Sequence, residues 1–311
     1  MRVLVTGGAG FIGSHLCERL LGRGDEVVVL DNFNDFYDPA IKRRNVAEAL
    51  TGARVVEGDL RDTALIEGLV GEGFDAVVHL AAMAGVRPSV EDPLLYQDVN
   101  VRGTMILMEA LRRRPETRFI MASSSSVYGG NERVPFREDD EIHHPVSPYA
   151  ATKRATELLA YTHHHLFGIP TTCLRFFTVY GPRQRPEMAI HKFVRLTLAG
   201  EPIPFFGEGD TRRDYTYVDD IVDGIVRSID RCEGYEIYNL GESQTTSLSE
   251  LTELIGEACG RAPALDRQPM QPGDVVVTYA DISKAREMLG YAPSTTVREG
   301  LARFMEWYRA R

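Results

Sequence analysis

A glycine-rich turn near the start of the chain constrains its fold more than any other feature. Residues 6–13 are TGGAGFIG; they follow a short apolar segment, Arg2–Thr6, and precede residues 11–23, whose apolar positions have helical spacing. Glycine permits a tight turn here, lets a ligand approach the backbone and lets the helix pack close to the strand. A helix N-terminus also offers free N–H groups to an anion. The pattern therefore predicts a strand–turn–helix unit that binds a phosphate group.

The first half of the chain repeats the alternation of strand and helix. Strand patterns occur at residues 26–30, 53–57, 76–80 and 118–121, with helical patterns between and after them, including residues 93–113. These strands are apolar on both faces, as expected where helices cover both sides of a parallel sheet. The sequence predicts an α/β fold with a Rossmann-type doubly wound parallel sheet.

The second half has shorter elements and more proline, glycine and charge. We expect residues 1–175 to form a dinucleotide-binding domain and residues 176–311 to form a smaller α/β lobe that binds substrate. The chain is expected to recross between them near residues 214–241, because residues 236–240 form another sheet-strand pattern.

Composition excludes several classes of protein. The 311 residues are 43% hydrophobic and 26% charged, as in an ordinary globular protein, and the net charge of -10 disfavours a nucleic-acid partner. No apolar run reaches the ~18 residues of a membrane span, and the first residues do not resemble a signal peptide. The four cysteines are scattered without metal-ligand spacing. We therefore expect a cytoplasmic protein with no metal, no membrane contact and no nucleic-acid partner.

Tyr149 and Lys153 are separated by four residues in a helical pattern, so they share one helix face. A cation ~4 Å away is worth up to about 4 kcal/mol at a dielectric of ~20, which could lower the phenol pKa by up to ~3 units. Ser124 follows a strand and emerges at the carboxyl edge of the sheet, where ligands of such folds bind. We predict Tyr149 as a base, Lys153 as its activating cation and Ser124 as a proton relay.

Asp31 ends the second strand pattern, about 20 residues beyond the glycine turn. An acid at this place accepts hydrogen bonds from an adenosine ribose and repels a 2′-phosphate, so it favours NAD over NADP. Arg43 and Arg44, farther along, weaken that inference.

Together these motifs resemble the extended short-chain dehydrogenase/reductase family, and the resemblance spans essentially the whole chain. The positions that carry it are Gly7, Gly10, Gly13, Asp31, residues 79–82 (HLAA), Ser124, Tyr149 and Lys153. Residues 175–182 (RFFTVYGP) and 213–219 resemble the nucleotide-sugar branch of that family.

The resemblance implies a bound NAD that is recycled in each turnover. The implied contacts are Gly7, Gly10, Phe11, Ile12 and Gly13 at the pyrophosphate, Asp31 and Asn32 at the ribose, Asp59 and Leu60 at the adenine, and Leu80, Ala81, Ala82, Tyr149 and Lys153 farther along the cofactor. Tyr149 would remove the O4 proton of a UDP-sugar while hydride leaves C4. The hydride would then return to the opposite face of a transient 4-keto sugar.

Residues 181–189 resemble the corresponding segment of UDP-glucuronate 4-epimerases, with Glu187 where those proteins have Asp. Residues 84–89 and 271–274 resemble the same subgroup. The implied substrate residues are Arg87, Ser124, Ser125, Ser126, Tyr149, Thr178, Arg185, Phe206, Arg213 and Asp274. A guanidinium grips a carboxylate in bidentate fashion, so we assign Arg185 to the uronate.

The resemblance also implies contacts with the nucleotide part of the substrate. By the resemblance, Phe206 would stack on uracil, and Arg213 and Asp274 would hold phosphate and ribose. Many relatives have an arginine where this chain has Gln271, and Arg267 is the candidate replacement.

Three alternative functions remain open at this point. The same chemistry on UDP-glucose or UDP-N-acetylglucosamine would follow if Arg185 points away from the sugar. A UDP-glucuronate decarboxylase or a nucleotide-sugar dehydratase is disfavoured, because residues 124–126 are serines where those enzymes have an acid. A non-catalytic NAD sensor is opposed by the intact Tyr149, Lys153 and Ser124.

The resemblance also implies a homodimer. Residues 93–113 and 149–167 are candidates for its four-helix interface.

Overall fold

Seven parallel strands form the main sheet of the protein. In this computed structural model, which describes residues 1–270 and 275–311, the strands follow one another across the sheet without an antiparallel pair. Their spatial order is β3 (Arg54–Glu57), β2 (Glu26–Asp31), β1 (Arg2–Thr6), β4 (Ala76–His79), β5 (Arg118–Ser124), β6 (Thr171–Phe176) and β11 (Tyr235–Leu240). The order reverses direction at β1, as in a Rossmann-type sheet, so the predicted fold class is confirmed.

Helices cover both faces of this sheet. One face carries α1 (Phe11–Gly22), α2 (Pro39–Ala49) and α9 (Val218–Asp230), and the other carries α3 (Thr63–Gly71), α6 (Thr104–Leu111) and α7 (Pro148–Phe167). Successive residues of a strand point to opposite faces, so Val3 and Val5 belong to one core while Leu4 belongs to the other. Each such buried aliphatic side chain stabilises the fold by roughly 1.5–3 kcal/mol.

The remaining elements form a smaller region beside the carboxyl edge of the sheet. Its three two-stranded pairs are β7 (Thr178–Tyr180) with β10 (Tyr215–Tyr217), β8 (Ile203–Phe206) with β13 (Leu265–Gln268), and β9 (Arg212–Arg213) with β12 (Thr246–Ser247). Its helices are α8 (Ala189–Ala199), α10 (Leu248–Cys259), α11 (Ser283–Leu289) and α12 (Val297–Arg309). Strand β11 leaves this region and pairs with β6 in the main sheet.

The segment with a helical pattern over residues 93–113 forms three consecutive helical pieces of two kinds. After α4 (Val86–Glu91), a short α5 (Pro93–Tyr96) leads into a π-helix, Gln97–Gly103, and only then into α6. Residues 93–111 are thus helical, as predicted, but a π-helical segment separates the two α-helical pieces. Within the π-helix the Asn100 carbonyl accepts the Thr104 hydroxyl at 2.5 Å, and the Asn100 side chain bonds to the backbone of Met83.

Across residues 1–270 and 275–311, none of the helices has the length and apolar character that crossing a membrane requires.

Candidate active site

A cavity of about 510 Å³ opens at the carboxyl edge of the main sheet. It runs from the glycine turn after β1, past the ends of β2 and β4, to the end of β5 and the start of α7. In an open α/β sheet this crevice is where ligands bind. All the residues predicted to contact the cofactor line it, as do Ser124, Ser125, Ser126, Tyr149, Thr178 and Arg185.

The glycine turn forms a cradle in which added side chains would collide. Gly7 has φ +71°, and a Cβ there would come within 2.7 Å of the Ala81 nitrogen. A Cβ on Gly13 would collide with the Gly7 carbonyl oxygen. Helix α1 has Gly10 as its N-cap residue, with no side chain capping it. The cradle therefore has room and exposed N–H groups for a pyrophosphate, and it fits a dinucleotide.

Asp31 ends β2 at the cavity and is 6% exposed. Its Oδ1 accepts the Phe33 N–H at 2.9 Å and lies 3.4 Å from the ammonium nitrogen of Lys42. Lys42 is also buried and donates to Asn34 Oδ1 at 3.1 Å. Arg43, in contrast, points away and pairs with Glu57. The cation nearest the predicted ribose site is thus Lys42, which the sequence interpretation did not single out.

Farther along the cavity, Asn32 donates from Nδ2 to Asp59 Oδ2 at 2.9 Å. Arg61 pairs with the same carboxylate at 2.8 Å, and this hydrogen bond holds the pKa of Asp59 well below its usual range. Asp59 is therefore a fixed anion at neutral pH. It lies beside Leu60 at the predicted adenine end, while residues 80–82 line the middle of the cavity.

The predicted catalytic residues meet at the end of β5. Ser147 caps α7 by accepting the Ala150 N–H at 3.1 Å, which places Tyr149 in the first turn. The Lys153 ammonium nitrogen lies 6.0 Å from the centre of the Tyr149 ring and donates to the Ala122 carbonyl at 2.8 Å. Ser124 is 8% exposed, and it interacts with Tyr149. The three side chains thus converge at one point of the cavity.

Burial sets the protonation of this group. Desolvation raises the pKa of Tyr149, opposed by the hydrogen bond with Ser124 and by the charge of Arg185. Desolvation also lowers the pKa of Lys153 to about 8, opposed by the Glu157 carboxylate. The protein's own groups therefore hold the phenol in its neutral form. The predicted lowering of the Tyr149 pKa stays a prediction for the complex, where the cationic nicotinamide adds a second positive charge.

Arg185 lines the same cavity. Its guanidinium carbon is 5.6 Å from the centre of the Phe36 ring, and its Nε lies 2.8 Å from Glu187 Oε1. The Arg185 side chain is 22% exposed, and its charge acts on Tyr149, Tyr96 and Tyr37. Arg185 therefore points towards the catalytic residues, but it already has one carboxylate partner within its own loop.

The serine run and Thr178 complete the polar lining between these two groups. Ser124 Oγ accepts the Ser126 N–H at 3.1 Å and so caps a short 3₁₀ helix, Ser125–Tyr128. Thr178 begins β7, the strand that precedes the loop carrying Arg185. Residues with hydroxyl groups from both segments thus line the same cavity as Tyr149 and Arg185.

Arg87, Phe206 and Arg213 lie outside the lining of this cavity. Arg87 and Phe206 nevertheless lie together, with the guanidinium carbon 5.1 Å from the ring centre. Arg213 donates to the carbonyl oxygens of Arg212 (2.9 Å) and Val276 (3.3 Å). Asp274 and Gln271 lie outside the described residues.

Arg267 lies over the ring of Phe205, at 4.9 Å from its centre. Neighbouring residues of a strand face opposite sides, so Arg267 lies on the other side of β8 from Phe206. It does not join the Arg87–Phe206 pair.

Asn100 is a site residue that sequence reasoning missed. Its side chain accepts the Met83 N–H at 2.8 Å, donates to the Met83 carbonyl at 3.0 Å and donates to Thr152 Oγ1 at 3.1 Å. It thereby joins the cavity wall at Met83 to the helix of Tyr149. Nothing local in the sequence marks it, because its position depends on the π-helix.

His79 begins the HLAA segment and is buried behind the cavity, and its protonation follows from its partners. Thr104 donates to the Asn100 carbonyl, so its oxygen accepts from His79 Nε2 at 2.9 Å. His79 Nδ1 then accepts from Thr6 at 2.7 Å. Burial lowers the pKa of His79 to about 3, so this histidine is a neutral link between β1, β4 and α6.

The fold and this site are those of an extended short-chain dehydrogenase/reductase. The model of the GDP-mannose 4,6 dehydratase family matches residues 4–304, and the chain belongs to this family.

Three relatives illustrate the similarity. UDP-glucuronate 4-epimerase 1 of Arabidopsis thaliana is 43% identical over 327 aligned residues, which cover 98% of this chain and 76% of that protein. The crystal structure of UDP-glucuronic acid 4-epimerase from Bacillus cereus, in complex with UDP-glucuronic acid and NAD, superposes with a TM-score of 0.94 at 35% identity, covering 100% of this chain and 99% of the other. UDP-glucose 4-epimerase of Thermotoga maritima, with UDP-glucose, superposes with a TM-score of 0.92 at 34% identity, with the same coverage.

Proposed function

We propose that this protein is an NAD-dependent epimerase that interconverts UDP-glucuronate and UDP-galacturonate at C4. The observation that carries the proposal is one cavity lined both by Tyr149, Lys153 and Ser124 and by Arg185. The first three are groups that can move the O4 proton, and the fourth is a cation that can bind a carboxylate at C6. Relatives named UDP-glucuronate 4-epimerase support it.

The residues of the glycine cradle would hold the NAD pyrophosphate. Asp31 and Lys42 would contact the adenosine ribose, with Asn32 and Asp59 beyond them. When bound, NAD would accept a hydride from C4 of the sugar and return it. Because the hydride returns, the reaction has no net oxidation, and the cofactor is regenerated within each turnover.

Tyr149 would take the O4 proton as hydride departs and give it back when hydride returns. Lys153 and Ser124 would act on Tyr149: the ammonium favours the phenolate, and the serine hydroxyl carries the proton between sugar and phenol. The 4-keto sugar would then turn its other face to the cofactor within this cavity. Turning of the sugar is what inverts C4.

Arg185 would bind the uronate carboxylate, with Thr178 and the hydroxyls of Ser125 and Ser126 as further donors. The oxidised intermediate is a β-keto acid, which loses carbon dioxide when the bond to its carboxylate aligns with the ketone π system. Arg185 would hold the carboxylate near the ring plane, so the bond to the carboxylate would not align with the ketone π system. Arg185 would thus select the substrate and also protect the intermediate.

The UDP part would lie towards Arg87, Phe206 and Arg213. Phe206 offers an aromatic ring for stacking of uracil, with the Arg87 guanidinium 5.1 Å from the ring centre. Arg213 brings a positive charge for the diphosphate, and Asp274 would contact a ribose.

We also propose that the chain divides into two domains at residue 175, with residues 1–175 as the domain that binds the cofactor.

The same cavity could serve a neutral UDP-hexose, and one observation favours that second function. Arg185 is paired with Glu187, which partly neutralises its charge before any substrate binds. UDP-glucose 4-epimerase of Thermotoga maritima also has this fold. A decarboxylase or dehydratase has weaker support, since residues 124–126 supply hydroxyls and no acid.

We further propose a cytoplasmic homodimer. Helix α7 leaves large apolar side chains exposed: Leu158, Tyr161 and Leu166 are 52%, 51% and 61% exposed, and Leu94 of α5 is 79% exposed. A pair of helices from each subunit would cover these residues. Sedimentation or light scattering of the purified protein checks the dimer.

The test of the proposed function is a product assay by NMR. Purified protein is incubated in parallel with UDP-glucuronate, UDP-glucose and UDP-N-acetylglucosamine. We expect UDP-galacturonate from the first at a far higher rate than any product of the others. A preference for UDP-glucose would instead support the second function, and a UDP-pentose as the main product would support a decarboxylase.

A further inference from the structure

The loop that carries Arg185 has little regular structure of its own. It joins β7 to α8 through residues 181–188, and its backbone hydrogen bonds include Gln184 N to Gly181 O and Met188 N to Arg185 O, both 3.2 Å. Arg183 has φ +61°, a left-handed conformation that residues other than glycine rarely adopt. Such a loop needs contacts from outside to hold a single conformation.

Gln184, the residue before Arg185, supplies the first of these contacts. It is 2% exposed, and both ends of its amide are used. Its Nε2 donates to the Val179 carbonyl at 3.2 Å, and its Oε1 accepts the His191 N–H at 3.2 Å. The side chain therefore ties the loop both to β7 and to the first turn of α8.

His191 supplies the second contact. Its Nδ1 lies 2.6 Å from the Gln184 carbonyl oxygen, and because a carbonyl only accepts, Nδ1 carries the proton. The ring is 6% exposed and lies nearly edge-on to three aromatic rings of α12. Those rings are Phe304, Trp307 and Tyr308, with centroids 5.5, 5.9 and 5.7 Å from the His191 ring.

We propose that His191 and Gln184 form a positioning pair, which fixes the Arg185 guanidinium at the place where a substrate carboxylate binds. This inference rests on the function proposed above for Arg185. The pair locks the carbonyl and the side chain of the residue directly before Arg185, and the aromatic rings of α12 hold the histidine in turn. A misplacement of about 1 Å in such a group can cost about a hundredfold in rate.

The test compares His191→Leu with His191→Asn in the NAD-loaded enzyme. Leucine removes the donor to the Gln184 carbonyl, whereas the asparagine amide nitrogen can occupy nearly the same place as Nδ1. For His191→Leu we expect KM for UDP-glucuronate to rise about tenfold or more, the fraction of UDP-pentose product to rise, and bound NAD to stay at the wild-type level. For His191→Asn we expect KM within about threefold of wild type.

The experiment must distinguish a less stable protein from one in which Arg185 is displaced. Tyr291→Phe removes another buried hydrogen bond to a carbonyl, that of Gly241 at 3.1 Å, away from the cavity, and serves as the matched control. Gln184→Met is the second variant if His191→Leu does not fold. The inference is overturned if His191→Leu keeps KM and product ratio within twofold of wild type, or if Tyr291→Phe changes them equally.

Arg185→Ala, measured in the same series, separates this inference from the proposed function. If Arg185→Ala leaves KM and the product ratio unchanged, Arg185 does not bind the carboxylate and both proposals are wrong. If Arg185→Ala changes them and His191→Leu does not, only the positioning role is wrong.

Discussion

The Lys153 ammonium nitrogen and the Tyr149 ring lie one helical turn apart, with 6.0 Å between the nitrogen and the ring centre. At an effective dielectric of ~20, a cation at about this distance favours a phenolate by roughly 3 kcal/mol, or about two pKa units. Burial acts in the opposite direction on Tyr149. The rate of epimerisation should therefore depend on whether Lys153 keeps its proton.

The first prediction concerns pH. Burial lowers the pKa of Lys153 to about 8, so above that pH the lysine becomes neutral and stops favouring the phenolate. We expect kcat of the wild type to fall above about pH 8. In Lys153→Arg the cation persists at all accessible pH values, so its kcat should be lower at pH 7.5 but should show no alkaline fall. An equal fall of kcat above pH 8 in the wild type and in Lys153→Arg would contradict this prediction.

The second prediction concerns the charge that grips the substrate. Arg185→Lys keeps the positive charge but loses the planar fork that binds both carboxylate oxygens. We expect kcat/KM for UDP-glucuronate to fall about 10- to 100-fold, mostly through KM, and the UDP-pentose fraction to rise. Steady-state kinetics with NMR product analysis measures both. A lysine variant with wild-type kinetics would show that bidentate binding is unnecessary.

The third prediction concerns Glu187, which lies 2.8 Å from the Arg185 guanidinium. Its carboxylate competes with a uronate for the same cation. Glu187→Gln removes the competing charge with little change in shape, so KM for UDP-glucuronate should fall severalfold while that for UDP-glucose should not. If KM for UDP-glucuronate rises instead, Glu187 holds Arg185 in place and does not compete.

The fourth prediction concerns stability. Burial, with the nearby Asp220 and Asp214, raises the pKa of Glu242 to about 8, and its Oε2 is buried without a hydrogen-bond partner among the described residues. A carboxyl whose pKa is raised by folding stabilises the fold most when protonated. That contribution is fully present below about pH 4.5, the usual pKa of a glutamate carboxyl, and is lost as pH rises through about 8.

Glu242→Gln should therefore lose less stability than the wild type between pH 6 and pH 9. We expect its Tm to fall by at least about 2 °C less over this interval. Differential scanning fluorimetry at both pH values measures the difference, and Glu253→Gln, at an exposed position of α10, is the control. Equal falls in Tm for Glu242→Gln and wild type would show that the carboxyl is not neutral in the folded protein.

Much of the fold follows from the sequence because its signals are local. The glycine turn, the apolar strands and the helical spacing of residues 11–23 each depend on a short stretch of chain, and the structure has α1 at Phe11–Gly22. The π-helix was not predictable in this way. Within it, Asn100 bonds to Met83, 17 residues away in sequence, and a contact of this kind leaves no local signal.

The same distinction applies to the site. The segment around Arg43 showed a cluster of cations but not which of them faces the cavity; Lys42 does, because it is the one buried beside Asp31. Arg185 was identified from its surrounding residues, whereas His191 and Gln184 were not. Their contact depends on where α12 packs, more than a hundred residues later in the chain.

The measurement that tests the account most directly follows an isotope at C4. UDP-glucuronate carrying deuterium at C4 is incubated with the enzyme in ordinary water, with Tyr149→Phe as the inactive control. We predict UDP-galacturonate that retains the deuterium at C4, since the same hydride leaves and returns, and at least a thousandfold lower rate in the control. Product in which C4 carries solvent hydrogen, or an unimpaired control, would contradict the account.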